Sequence, residues 1–409
     1  AADGPGEPGP GVTDETITVG LIGVDVGAAQ AEVGTDALGE IDFEGGEILE
    51  ALLAPLQGGE ETGGRAIEVV SAAVDIGSPE TQQQACLELT QDTEVFVAIA
   101  IQGFFGAPVL CVSDEGETVL IAGDGFGEFF YDDSDGRLYS VVVSKSRAMT
   151  EAAQVFSDEG FFDDATVGVL STGTFGGIEA ARDQLVPFLE DDLGVEITEF
   201  AELSSDQDTT QTQIPSIVER MESAGVDTVM MLGNVLNNAN FVAAADAIGW
   251  TPQYLATDQA QGVSQLALDL MTAPYDAVGV TSTLAGSVEA GEPESDRSVA
   301  CRDQVTEATG KPLERLDEDG SETVTYVNAM LACDAVEVLR QGLAGADENL
   351  SQESLIEAIQ AIEELPLAAS ASPGSFSPDK GDAPDLFRLV RTDAECTCWV
   401  PEGDFAAPG

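Results

Sequence analysis

The chain has 409 residues, of which 76 are acidic and only 14 basic, with no histidine and a formal net charge of −62. Such a surface repels nucleic-acid phosphates and anionic lipid, so neither is an expected partner, and without histidine the Ser-His-Asp and Cys-His arrangements are impossible. Hydrophobic residues nevertheless make up 43% of the chain, enough for large cores, and the length suggests two domains.

Self-repulsion of this size opposes a compact state at low salt, and it fades at ~1 M salt, where the screening length is about 3 Å. The plainest reading is a protein of a concentrated-salt environment; a dedicated calcium store is the rival. The longest apolar run, "VFVAIAIQGFFGAPVLCV" (95–112), is broken by Gln102, glycines and a proline, so no membrane span is expected. The opening "AADGPGEPGPG" reads as a flexible leader over residues 1–12, the tether left after processing.

In chain order, "ETITVGLIGV" (15–24) is a buried strand and 37–56 carries helical apolar spacing. "RAIEVVSAAV" (65–74) is a strand, followed by a helix over 78–90 with serine capping and proline in its first turn. "VFVAIA" (95–100), a short helix and "TVLIAG" (118–123) complete this run. The pattern then restarts: strand 166–171, helix 176–192, strand "EITEFAEL", helix "IPSIVERMESAG", strand 227–232, helix "NNANFVAAADAIGW", and strands 253–258 and 276–284. Two long helices, around Cys301 and over 326–343, precede a helix at 351–365 and a terminal strand at 385–392. Wholly apolar strands alternating with helices indicate α/β lobes with parallel central sheets covered on both faces.

Six cysteines without histidine argue for disulfides outside the cytosol rather than a zinc site. Cys86 and Cys111 fall on neighbouring predicted helices, as do Cys301 and Cys333, which pairs 86–111 and 301–333. Cys396 and Cys398 remain as a tight pair, and buried free thiols are the alternative for any of the six.

Open parallel sheets bind ligands beyond the carboxyl ends of their strands, so the loops to inspect are 25–35, 102–106, 123–128, 172–176, 233–236 and 257–262. Lys145, one of three lysines, ends the run "YSVVVS" between the two repeats. "GDGFGE" (123–128) lacks the G-x-G-x-x-G spacing and a long following helix. "YDDSDGRLYSVV" (131–142) has tyrosine and valine at the first and twelfth positions of a would-be calcium loop. No paired carboxylates are singled out by spacing, and no cofactor or metal is implied.

The stretches "GVTDETITVGLIGV", "FEGGEILEALLAPLQGGEETGGRAIEVV", "SPETQQQACLELTQDTEVFVAIA", "VGVLSTGTFGGIEAARD", "GVDTVMMLGNVLNNANFVAAADAIGWTPQYLATD" and "YVNAMLACDAVEVL" occur in an informative order and spacing. Over about residues 13–400 the chain resembles the type I periplasmic-binding-protein fold, in the branched-chain amino-acid (Leu/Ile/Val) class of ABC-transporter substrate-binding proteins. The resemblance implies two Rossmann-like lobes joined by a three-crossover hinge that closes on a ligand. The expected N-terminal lobe is 13–140 plus 285–345, and the C-terminal lobe 141–284 plus 346–400. It also implies an extracytoplasmic, non-enzymatic protein that delivers a small molecule, an amino acid or related amide, to ABC permease subunits. A sensor module of the same fold and an acid-pair hydrolase are the alternatives.

Members that bind amino acids hold the carboxylate with hydroxyls and backbone N–H groups after the third and fourth strands. Here Gln102, Gly103, Phe104 and Phe105 stand after the third, and Asp124, Gly125 and Phe126 after the fourth, without a hydroxyl among them. In the second lobe Thr172 and Phe175 lie in "STGTFGG", Asn234 follows the next strand, and Asp258 of "ATDQ", beside Gln259, matches the ammonium-binding acid. Asp258 otherwise reads as a turn cap, the phenylalanines as core rather than ligand walls, and Lys145 either as a hinge residue paired with an acid or as the partner of an anionic ligand group.

Overall fold

The computed structural model describes residues 8–25, 46–75, 78–173, 176–204, 207–259, 262–283, 291–316, 322–370 and 372–408. The first part of the helix expected at 37–56, nearly all of loop 25–35, and Phe175 lie outside the described residues. The chain divides into two compact units, Ala1–Gly125, Phe129–Val142 and Glu294–Pro384 forming one, and Phe126–Glu128, Val143–Pro293 and Asp385–Gly409 the other. Apart from the short excursion at Phe126–Glu128, the chain passes between them at 142/143, 293/294 and 384/385.

In the first unit, β1 (Thr16–Val24), β2 (Ala66–Val74), β3 (Val97–Ala100), β4 (Val119–Ala122) and β5 (Leu138–Ser140) pair in the order β2-β1-β3-β4-β5. All neighbours are parallel. β3 and β4 are buried at every residue, the mark of central strands covered on both faces, whereas edge strand β2 exposes several of its residues. Ile17, Val19 and Leu21 of β1 join one core with Leu49 and Leu52 of helix Glu47–Leu53 and Met330 and Leu339 of helix Val324–Gly345. Cys301–Cys333 staples helix Asp296–Thr309 to helix Val324–Gly345, and Cys86–Cys111 ties helix Pro79–Leu87 to the turn of helix at Cys111–Glu115.

Two expectations change here. Residues 8–12 are not a free tether: Gly9 N–H donates to Leu350 O at 3.0 Å, Thr18 N–H to Gly11 O at 2.8 Å, and Val12 bridges to Ile17. Segment 346–384, expected in the second lobe, clusters with the first unit. The reason is helix Gln352–Gln360, whose buried Leu355 and Ile359 lie against Gly342 of helix Val324–Gly345, where the absent side chain leaves the room they fill.

In the second unit, β6 (Val167–Thr172), β7 (Ile197–Leu203), β8 (Thr228–Leu232), β9 (Gln253–Thr257), β10 (Ala277–Thr281), β11 (Phe387–Asp393) and β12 (Cys398–Ala406) form one sheet in the order β12-β11-β10-β9-β8-β6-β7. β6 to β10 are mutually parallel, β11 runs antiparallel to β10, and β12 runs antiparallel to β11. The period of two is visible in β8: Val229 and Met231 enter the core on one face, Met230 and Leu232 the core on the other. β12 was not expected, because "CWVPEGDFA" contains proline and glycine; it is an edge strand, where a missing N–H costs no ladder bond. The helix expected from Ile214 begins at Gln207 and runs through Pro215.

Candidate functional site

Both parallel runs reverse their strand order beside the first strand of the repeat, between β1 and β3 and between β6 and β8. Loops leaving carboxyl ends diverge at such points and leave room for a ligand. In the first unit the loop after β3 is held by the loop after β4. Gly103, at φ +78°, donates its N–H to Asp124 Oδ2 at 2.9 Å. Phe105 N–H donates to Gln82 Oε1 at 3.0 Å, and Ser140 Oγ donates to Asp124 O at 2.8 Å. Asp124 thus braces the loop at Gly103, a role that its position alone did not reveal. Phe104 and Phe126 are buried, as is Gly125, while Gln102 and Phe105 are half-buried.

In the second unit Thr172 and Gln259 form one group and Asp258 and Lys145 a second. Thr172 ends β6 fully buried; its carbonyl oxygen and Gln259 Nε2 both lie close against Gly177, a position a larger residue would fill. Gln259 is 1% exposed, and neither atom of its side-chain amide has a hydrogen-bond partner among the described residues. Asn234 is an N-cap: its Oδ1 accepts from Asn237 N–H at 2.9 Å at the start of helix Val235–Ile248.

The second group centres on Asp258, the first residue after β9. Its Oδ2 accepts from Ser282 N–H at 2.5 Å and from Ser282 Oγ at 2.7 Å. Desolvation pushes the carboxyl group above the usual carboxylate range; the bonds from Ser282 and the Thr281 hydroxyl, and the positive charge of Lys145, pull the other way. Strand β10 therefore ends at Thr281 rather than at 284, because the Ser282 N–H turns out of the ladder toward this carboxylate. Ser282 was missed in sequence because the strand was drawn through it; its signal was the rule used for the other loops, a polar residue directly after a buried strand.

Lys145 is only 6% exposed and opens helix Lys145–Asp158, after the N-cap Ser144 whose side chain accepts from Arg147 N–H. Its own N–H donates to Phe126 O at 2.7 Å. A buried ammonium at a helix N-terminus is opposed twice, by desolvation and by the helix dipole. The positive charge of Lys145 acts on Asp258 and favours its carboxylate form. Lys145 and Asp258 are 113 positions apart in sequence and share one unit.

No family model matches this chain, and no curated protein sequence matches it. Solved structures do. An ABC-transporter substrate-binding protein from Aeropyrum pernix superposes with a TM-score of 0.70 at 15% identity, covering 97% of each chain. A branched-chain amino-acid ABC-transporter protein from Thermus thermophilus with bound valine gives 0.67 at 17% identity, also with 97% of each chain covered. A solute-binding protein from Rhodopseudomonas palustris in complex with 3,4-dihydroxybenzoic acid gives 0.66 at 14% identity, covering 96% of this chain and 98% of that one. The fold is that of a type I periplasmic binding protein. Two α/β units, near-complete coverage in both directions and three chain crossings agree with it. Among the described residues, no helix of this fold is long and apolar enough to cross a membrane.

Proposed function

We propose that this chain is an extracytoplasmic solute-binding protein that captures a small polar molecule and presents it to the permease of an ABC transporter, its two units closing about the three crossings. The observation that carries the reading is the Lys145–Asp258–Ser282 cluster at the carboxyl edge of the second sheet. It sets an acid under the charge of a lysine at the carboxyl ends of β9 and β10, on the edge of a parallel sheet where this architecture holds ligands. An ammonium group on the ligand is met by Asp258 and a carboxylate or amide oxygen by Lys145, which favours an amino acid or a related amide. No histidine is available as a base, and the one acid of the cluster, Asp258, accepts from Ser282, which supports capture without turnover.

The test is a thermal-shift screen in concentrated salt with amino acids, amino-acid amides and aromatic acids, followed by mass spectrometry of each mixture. At a ligand concentration ~100 times Kd the stabilisation is about 2.7 kcal/mol, an upward shift of several degrees. The reading expects one class to give that shift and to be recovered unchanged. Consumption of the compound points to a hydrolase, and a flat screen across all three classes removes the proposed ligand class.

A further inference from the structure

The turn between β11 and β12 carries the Cys396–Cys398 disulfide, which closes a ring over a sequence separation of 2. The other two disulfides close separations of 25 and 32, and their four cysteines are buried. Cys396 is exposed, whereas Cys398 is fully buried beside Trp399. Thr397 between them sits at φ +52°, a left-handed conformation that a β-branched residue rarely adopts. Asp393 Oδ1 braces the turn by accepting from Glu395 N–H at 2.7 Å and Cys396 N–H at 3.2 Å.

We propose that Cys396–Cys398 is a thiol–disulfide exchange site, open to a dithiol reductant while the other two disulfides stay closed. Three features point the same way. The exposed Cys396 sulfur can be reached by an incoming thiolate, and the sulfurs of the buried pairs cannot. A short ring contributes least to the chain-entropy stabilisation of its disulfide. Opening it also frees Thr397 from its left-handed backbone. The chemistry balances with a dithiol. One thiolate attacks Cys396 Sγ, the S–S bond breaks, and Cys398 leaves as a thiolate that takes up a proton. The second thiol of the reductant then attacks the mixed disulfide, releasing Cys396 as a thiolate and carrying both oxidised sulfurs away as a cyclic disulfide. The protein gains two electrons and the reductant loses two. Asp393 and Glu395 flank the exposed sulfur, so an uncharged dithiol is favoured over an anionic thiol.

The turn has a route to the loop after β9. Gln265 Nε2 donates to Thr397 O at 3.0 Å, and Trp399 Nε1 donates to Ser264 O at 3.1 Å. Ser264 is the N-cap of helix Gln265–Asp269, which follows the loop that starts at Asp258 and Gln259. Opening the disulfide thus loosens the anchorage of that helix, independently of which solute is bound.

The experiment titrates the folded, oxidised protein with dithiothreitol in concentrated salt, traps thiols with iodoacetamide, and maps each pair by peptide mass spectrometry while tryptophan fluorescence is recorded. Cys396–Cys398 is expected to open at a dithiothreitol concentration at least ~tenfold below that needed for either other pair. Fluorescence should change in the same step, with far-UV circular dichroism unaltered. The double variant Cys396→Ser, Cys398→Ser should lose that first step and keep the later ones. If all three pairs open together, if 396–398 opens last, or if its opening coincides with unfolding, the proposal fails.

Discussion

Lys145 would be a poor choice for its position if nothing faced it, since a polar residue at the start of a helix would cap better and a hydrophobe would bury better. Its charge acts on Asp258, and the two should therefore be coupled in stability as well as in binding. Lys145→Met removes a positive charge that favours the Asp258 carboxylate, and Asp258→Asn removes the negative charge that acts on the buried ammonium. Each is expected to destabilise, and the double variant to cost less than their sum by about 1–3 kcal/mol. Urea unfolding of the four proteins at one fixed salt concentration measures this; additivity within ~0.5 kcal/mol would show that the charges do not sense each other. Asp334 offers a contrasting residue. It is fully buried in the first unit, its two carboxylate oxygens accepting from Ala368 N–H at 2.5 Å and Ala369 N–H at 3.0 Å. Burial pushes its pKa up to about 7, against those two bonds and the charge of Arg297. A carboxyl group whose folded pKa lies above its unfolded one holds its proton more tightly when folded. Its contribution is thus fully present below about pH 4 and is lost as the pH rises toward 7. The stability of the wild type minus that of Asp334→Asn, with the other acids common to both, should fall between pH 4 and 7 and level off above. A flat or rising difference would mean that Asp334 is ionised throughout in the folded state.

At the scale of elements, helix Gln352–Gln360 shows where sequence reasoning stops. Its existence was readable from the capping Ser351, whose side chain accepts from Ser354 N–H, and from apolar residues at helical spacing. Its destination was not, because its packing on Gly342 is joined by contacts that one polar side chain makes with backbone more than two hundred positions away. Gln352 Nε2 donates to Phe96 O at 2.5 Å, and Gln352 Oε1 accepts from Val119 N–H at 3.3 Å, just before β3 and at the start of β4. Gln352→Ala should leave both backbone groups without that partner and destabilise the first unit by roughly 2–3 kcal/mol. Circular dichroism melts would show it, and a loss under ~0.5 kcal/mol would mean that apolar packing alone docks the helix. The strands were legible because parallel sheets demand continuous apolar runs, and the place of Asp258 was legible because it directly follows one. Edge strand β12 and the short helix at Gln265–Asp269 were not, since neither carries an apolar run or a helical repeat of useful length. The bracing role of Asp124 was hidden for another reason: an acid that accepts from a loop N–H looks no different in sequence from one that faces solvent.

Across the whole molecule the acids set conditions that no single pair can satisfy. Only 14 cations serve 76 anions, so most carboxylates repel one another over distances that water alone screens poorly. Pairs such as Arg388 with Glu292, bidentate at 2.6 Å and nearly buried on the arginine side, are sheltered from added salt. The excess surface charge is not. Raising the salt should therefore weaken the net repulsion far more than it weakens these internal pairs, and the native state is expected to gain. Melting temperature should climb from ~0.1 M to ~2 M potassium chloride by about 10 °C or more, most steeply at the low end where the screening length changes fastest. A neutral osmolyte at matched water activity should give a smaller rise, because it excludes itself from the surface without shielding charge. Equal rises in salt and osmolyte would assign the effect to hydration, and a flat salt response would show that self-repulsion does not limit the stability of this fold.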